Sequence, residues 1–341
     1  MLRLLLLGIA ALTMACAPAS AGVAAAAGVA PAAAAPPDPR PLTPVTVAVP
    51  ATSLQFLPLH IAKQRGFDQQ NGLDLQVLAI GGTTSVQAML AGDVDFAASA
   101  GAVLNAALGG APVVVLLIGI DKSTYVVYGR PEVRDVRDLK GKVLAVDTVG
   151  GSQYTEVGLG LRQVGLEPGD VTIVSMAAPA RIAALDSGAA DAAVLVPPQD
   201  VQAEKLGGGA HRLLSLGDHV VGINGALGAT TALVQAKPAV VDGMVTALLM
   251  AVRYLRENRE GTLPLIMSYM DVDADTAAAI YDRSVGVFGD GLSTPAARAE
   301  IVQHAAEALK TAPGYQPADF LDLAAVERAT ARLAASGWRP N

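Results

Sequence analysis

Four turns in this chain carry residue types that hold a small polar ligand: Thr52-Ser53-Leu54-Gln55, Gly81-Gly82-Thr83-Thr84-Ser85, Ser99-Ala100-Gly101 and Thr148-Val149-Gly150-Gly151-Ser152-Gln153-Tyr154. Each follows an apolar or β-branched run and precedes a helical pattern. Its backbone N–H groups therefore lack intrahelical partners and carry the partial positive charge of a helix start. That chemistry suits a sulfonate, carboxylate or phosphate. Ser and Thr at such positions also serve as plain N-caps; convergence of several turns is what would make a site of them. Gln55, Phe56, Gln153 and Tyr154 are the bulkier members and would meet a ligand's body, while Phe56 suits a core equally well. Asp121-Lys122-Ser123 offers either a charged contact or a solvated turn, and Pro179 and Pro198 are expected to face the same cleft.

Other chemistry is poorly supplied. The four histidines, His60, His211, His219 and His304, have neither i, i+4 spacing nor cysteine company, so no metal is expected. A Gly-x-Ser-x-Gly elbow is absent. Gly141-Lys142 precedes a strand and lacks both the upstream glycine and the following Ser/Thr of a phosphate loop. No cofactor is expected. A cleft enzyme would have to use Asp147 or Glu156 as base, and nothing in the sequence pairs either with a group of opposite pKa tendency.

The turns need strands before them and helices after them. Residues 45–49, 73–80, 95–98, 113–120 and 124–128 read as strands, with helices over 54–66, 81–90 and from 99. The order restarts near Arg130, with strands at 142–147, 171–176 and 192–196 and helices at 152–164 and 180–185. Such alternation predicts parallel sheets. Two distant segments repeat one pattern, Ala88-Met89-Leu90-Ala91-Gly92-Asp93-Val94-Asp95 and Ala184-Leu185-Asp186-Ser187-Gly188-Ala189-Ala190-Asp191. The repeat predicts two similar α/β lobes, and 341 residues suffice for two cores. A strand-like stretch at 229–235 leads to helical segments at 238–258, 264–270, 274–284, 295–311 and 317–335, which should pack back on the first lobe. Lobe 1 is then 45–128 with 226–341, and lobe 2 is 129–225, an insertion entered near Tyr128 and left near Gly225.

The chain opens as an export signal: Arg3, an apolar run to Leu12, then small residues. That run is shorter than the ~20 residues of a membrane span. Cleavage after Ala19-Ser20-Ala21 gives a signal peptide of residues 1–21; Thr13-Met14-Ala15-Cys16 gives instead a lipoprotein signal of 1–15 with Cys16 acylated. Cys16 is the only cysteine, so no intramolecular disulfide exists. Residues 22–44 read as an Ala/Pro linker. A net charge of −7 argues against a nucleic-acid partner.

The pattern Leu59-x-x-Ala62-x-x-x-Gly66-Phe67-Asp68, followed by Gly82-Thr83-Thr84 and Met89-Leu90-Ala91-Gly92-Asp93-Val94-Asp95, resembles the substrate-binding proteins of the nitrate/sulfonate/taurine ABC importers (SsuA/THI5-like, NMT1-like). Asp138-Leu139-Lys140-Gly141-Lys142-Val143, the Gly151-Ser152 turn and Leu166-Glu167-Pro168-Gly169-Asp170-Val171 extend the resemblance into lobe 2. It implies a type II periplasmic-binding-protein fold: two α/β lobes with a hinge and ligand cleft between them, C-terminal helices packed on lobe 1. It implies ligand contacts at Ser53, Gln55, Thr83, Thr84, Ser99, Gly151, Ser152 and Gln153. Val196-Pro197-Pro198 stands where many relatives carry an aromatic beside a proline, which speaks against an aromatic cage. The expected function is a monomeric, periplasmic or envelope-anchored receptor that captures a small anionic organic molecule and delivers it to an ABC permease. A ligand sensor for a membrane kinase and a cleft enzyme are the alternatives.

Overall fold

A computed structural model describes residues 41–50, 52–147, 149, 152–205, 208–309 and 315–340. Cys16, the two signal alternatives, the linker before residue 41 and Gly151 lie outside these residues. The first stretch of chain forms β1 (Thr43–Val49), α1 (Leu57–Gln64), α2 (Phe67–Gln70), β2 (Leu73–Ala79), α3 (Gly82–Ala91), β3 (Phe96–Ala97), α4 (Ala100–Leu108) and β4 (Val113–Lys122). The middle forms β5 (Val126–Gly129), β6 (Val143–Val146), α5 (Ser152–Gln163), β7 (Thr172–Ser175), α6 (Ala178–Ser187), β8 (Ala192–Leu195), α7 (Gln199–Lys205) and β9 (His211–Ser215). The return runs through β10 (Val221–Thr230), α8 (Thr231–Ala236), α9 (Pro238–Glu257), α10 (Arg259–Met270), α11 (Ala274–Ser284), α12 (Pro295–Ala308) and α13 (Ala324–Ala335).

Two sheets result, in the orders β2-β1-β3-β10-β4 and β7-β6-β8-β5-β9. β1 is parallel to β2 and β3, and β6 is parallel to β7 and β8. Neither sheet is wholly parallel, contrary to the expectation from alternation: β10 runs antiparallel between β3 and β4, and β5 antiparallel between β8 and β9. The reason is where the chain crosses between lobes. β4 and β9 both leave their sheets at the carboxyl ends of the parallel strands, so β5 and β10 enter from that end and run away from it. Each sheet is covered on both faces by apolar side chains, giving two cores per lobe. The C-terminal helices cover lobe 1, α9 and α13 on one face and α12 on the other. α9 is long and apolar enough to cross a membrane, but Val241, Met244, Val245, Leu248, Val252 and Leu255 bury its stripe in the core.

The repeated segment has a structural use. Asp95 accepts hydrogen bonds from the Thr46 N–H at 2.8 Å and the Thr46 hydroxyl at 3.0 Å, anchoring β1. Asp191 accepts from the Val143 N–H at 2.9 Å, anchoring β6 in the same way. Gly92 and Gly188 end the preceding helices at φ 83° and 80°, a left-handed conformation that a Cβ disfavours. The motif therefore builds each lobe at the amino ends of its strands, away from the polar turns. Asp95→Ala should lower stability by about 2 kcal/mol, the scale of charge-assisted hydrogen bonds lost from a partly buried N–H; urea unfolding measures it.

The boundaries differ from expectation in three places. The crossings lie at 123–125 and 216–220, ahead of Tyr128 and Gly225; Tyr128 is fully buried within β5 and Gly225 is inside β10. The stretch 229–235 is mostly helix, because the Thr230 hydroxyl accepts from the Leu233 N–H at 3.1 Å and starts α8. β9 and α7, too short to show a period, had no sequence signal.

Candidate functional site

Both crossings and the polar turns occupy the carboxyl ends of the parallel strands, where open α/β sheets bind ligands. A cavity of about 280 Å³ opens there between the lobes. Lobe 1 contributes Ser53 and Gln55 from the turn after β1 and Arg283 from α11; lobe 2 contributes Pro197, Asp200 and Arg212; the first crossing contributes Ser123, Thr124 and Tyr125. Three cationic side chains line it, Lys122, Arg212 and Arg283, against Asp200 and Asp218.

One edge is held by ion pairs between the lobes. Arg283 of α11 donates to Glu204 of α7 at 3.1 and 2.5 Å and lies 3.5 Å from Asp200. The Tyr128 hydroxyl also donates to Glu204, at 2.8 Å. Lys205 donates to the Thr276 hydroxyl at 2.5 Å and to Asp273 at 3.3 Å. Val201 of α7 is buried in the core of lobe 1. Burial works against the Glu204 carboxylate, but hydrogen bonds from Arg283 and Tyr128 hold its pKa below the usual range. Asp200 is 3 % exposed and burial raises its pKa. Its Oδ1 has no hydrogen-bond partner among the described residues.

A second cavity, about 230 Å³, lies between α4, α5, β10 and α12. Glu156 points to the first crossing and the start of β10 there: it is hydrogen-bonded to the Ser123 side chain, and a Cβ on Gly222 would come within 3.4 Å of its Oε1. Burial pushes its pKa up to about 7, against the lowering effect of Ser123. His304 lines the same cavity. Asp147, by contrast, is exposed at the end of β6.

The expected ligand residues scatter. Ser53 and Gln55 line the inter-lobe cavity, whereas Phe56 is 3 % exposed in the lobe 1 core, because the turn of 3₁₀ helix at 54–56 aims it inward. Thr83 and Thr84 are exposed on the first turn of α3 and do not line this cavity. Ser99 precedes α4, is buried, and makes no cap hydrogen bond; its Oγ has no partner among the described residues. Ser152 is the first residue of α5. Gln153 is buried, and its Oε1 accepts from the Asp147 N–H and from Arg181, so this oxygen holds the lobe together. Tyr154 packs on the lobe 2 core. Pro179 and Pro198 line a separate cavity of about 610 Å³ within lobe 2, between α6 and α7, rather than the inter-lobe cleft.

The NMT1/THI5 like family model matches residues 53–261, well over half of the chain and all of lobe 2 with its crossings. The chain belongs to this family. No curated protein sequence matches it. Among solved structures, the periplasmic sulfonate-binding protein SsuA of Methylobacillus flagellatus KT superposes with a TM-score of 0.68 at 18% identity, over 88% of this chain and 98% of that one. The periplasmic nitrate-binding protein NrtA of Synechocystis PCC 6803 gives 0.66 at 16% identity, over 86% and 89%. The desulfurization enzyme DSZB gives 0.62 at 15% identity, over 85% and 99%. At these identities the likeness establishes the two-lobed fold.

Within this NMT1/THI5-like chain, sequence patterns alone missed Arg181, Asp200, Glu204, Arg212 and Arg283. Arg181, Asp200, Glu204 and Arg283 belong to helices not opened by a glycine- or serine-rich turn, and Arg212 to a five-residue strand after Gly208-Gly209-Ala210. One signal was available: Arg181 stands three and four residues before Ala184 and Leu185, on the face of α6 that is buried.

Proposed function

We propose that this protein is the solute receptor of an ABC importer, capturing a small anionic organic molecule between its lobes and presenting it to a membrane permease. The observation that carries this reading is the inter-lobe cavity, whose walls come from both lobes and a crossing. A ligand touching all of these favours the closed arrangement, and only such differential affinity shifts lobes between open and closed. With Arg283 paired to Glu204 and Asp200, Lys122 and Arg212 set against Asp218 suit one negative charge. The sulfonate- and nitrate-binding proteins that share the fold support the same class. In this reading the leader directs export, and the receptor works as a monomer in the periplasm, with Cys16 the alternative point of lipid attachment. Lobe 1 is residues 43–122 with 221–340, and lobe 2 is 126–215.

Native mass spectrometry of protein purified from its own envelope, with thermal-shift screening of sulfonates, aromatic carboxylates and pyrimidines, tests the proposal. A retained or stabilising anion is the expected result; turnover of a bound compound would move the assignment to an enzyme. Gln55→Trp should fill the cavity and weaken binding on the order of a hundredfold, since a pocket this small has no spare volume. Titration calorimetry checks it, with unchanged circular dichroism showing that the fold is kept.

A further inference from the structure

The second cavity holds a carboxyl that lacks a counter-ion. Glu156 and His304 are the ionisable side chains that line it among the described residues, and no Lys or Arg does. Glu156 Oε2 and His304 Nδ1 are both buried and have no hydrogen-bond partner among the described residues. Ser123, a neutral hydroxyl, favours the charged form of Glu156 against the effect of burial. Asp200, with an unpartnered oxygen at the other cavity, has Arg283 at 3.5 Å.

Both unpartnered atoms can accept. The Glu300 carboxylate, one turn before His304 on α12, lies 3.8 Å from its Nε2; it favours the ring proton there, which leaves a lone pair on Nδ1. From the first crossing, Tyr125 feels the charge of Glu156, and beyond it Arg181 has Asp147 for its counter-charge. α4 and β10 bring no ionisable side chain to the cavity. Leu104, Leu159, Ile223 and Ile301 make apolar walls, and Asn105 and Thr155 are exposed at the rim. Two acceptors, one of them anionic, against aliphatic walls suit an ammonium group on a short hydrocarbon chain. Such a group brings N–H donors and the positive charge that Glu156 lacks. An unpaired buried carboxylate is costly for a fold to keep, and a bound cation offsets that cost.

We propose that this cavity is a binding site for a small aliphatic ammonium ion, held by Glu156 of lobe 2 and His304 of lobe 1. The site is opposite in charge to the cavity of Lys122 and Arg212, and it does not rest on the solute-receptor reading.

The test titrates butylammonium and its uncharged near-isostere 1-butanol into the wild-type protein, Glu156→Gln and His304→Phe by calorimetry at pH 6 and 8. At pH 8 the wild type should bind butylammonium about tenfold or more tighter than 1-butanol, the part of a close ion pair that survives desolvation. Glu156→Gln should lose this preference with 1-butanol binding unchanged. His304→Phe should weaken butylammonium about fivefold, the scale of one hydrogen bond. Wild-type affinity for butylammonium should fall about tenfold from pH 8 to pH 6, because Glu156, its pKa pushed up to about 7, takes up a proton that the cation must displace. Equal affinity for the two compounds, a preference kept in Glu156→Gln, or no binding of butylammonium by the wild type would each overturn the inference. If Glu156→Gln does not fold, the wild type decides alone: equal butylammonium affinity at pH 6 and 8 overturns the proposal.

Discussion

Glu156→Gln should make the protein more stable at pH 8 by about 3 kcal/mol and should flatten its stability between pH 4.5 and 7. The carboxyl is wedged against Ser123 of the first crossing and Gly222 at the start of β10, and burial raises its pKa from 4.5 to about 7. Below pH 4.5 folded and unfolded chains both hold the proton, so the group contributes no pH dependence there. Between the two values the unfolded chain releases the proton and the folded chain keeps it, so stability falls by about 1.4 kcal/mol per pH unit. Above pH 7 both forms are ionised and the full penalty remains. Glutamine keeps the shape of the neutral acid and still accepts from Ser123, without a charge to bury. Urea unfolding of both proteins at pH 4, 6 and 8 reads the effect; parallel curves would exclude a buried, proton-holding Glu156.

Arg283→Met should cost roughly 3 kcal/mol at pH 8, because it leaves the buried Asp200 carboxylate without its counter-ion. The loss should shrink in acid. Burial already raises the Asp200 pKa, and a protonated Asp200 needs no cation beside it. The double variant Arg283→Met with Asp200→Asn should recover part of the stability, since the buried charge at 200 is gone while Glu204 has lost Arg283 and keeps the Tyr128 hydroxyl. A double-mutant cycle by urea unfolding at pH 5 and 8 measures this coupling. Additive losses would mean that the contact between α7 and α11 rests on Val201 and its apolar neighbours alone.

The fold was legible because its signals are local. The strand-helix alternation, Pro58 in the first turn of α1 and glycines 92 and 188 at helix ends each act over a few residues, and the structure uses them where they fall. The antiparallel strands were not legible, because direction depends on which end of a sheet the chain leaves, and no local pattern records that. The site was legible in part. Ser53 and Gln55 belong to a turn that does reach the cavity. Thr83 and Thr84 belong to an equally polar turn that remains exposed. The charges that define the cavity come from α7, β9 and α11, brought together by pairings over long sequence distances such as Arg283 with Glu204. A hydrogen-bonded arginine on a buried face, such as Arg181, is visible beforehand only as a break in an apolar stripe.

The insertion of β10 between β3 and β4 also dictates an order of assembly. Among the described strands β4 pairs with β10 alone, and their contact joins Lys122 to Asn224, 102 residues apart. A chain emerging from the ribosome therefore cannot finish its first sheet until the whole inserted lobe has been synthesised. β5 must likewise wait for β8 and β9. Closing such long loops before any contact repays the lost entropy makes folding slow, and the half-made chain stays pliable for as long as its second half is missing.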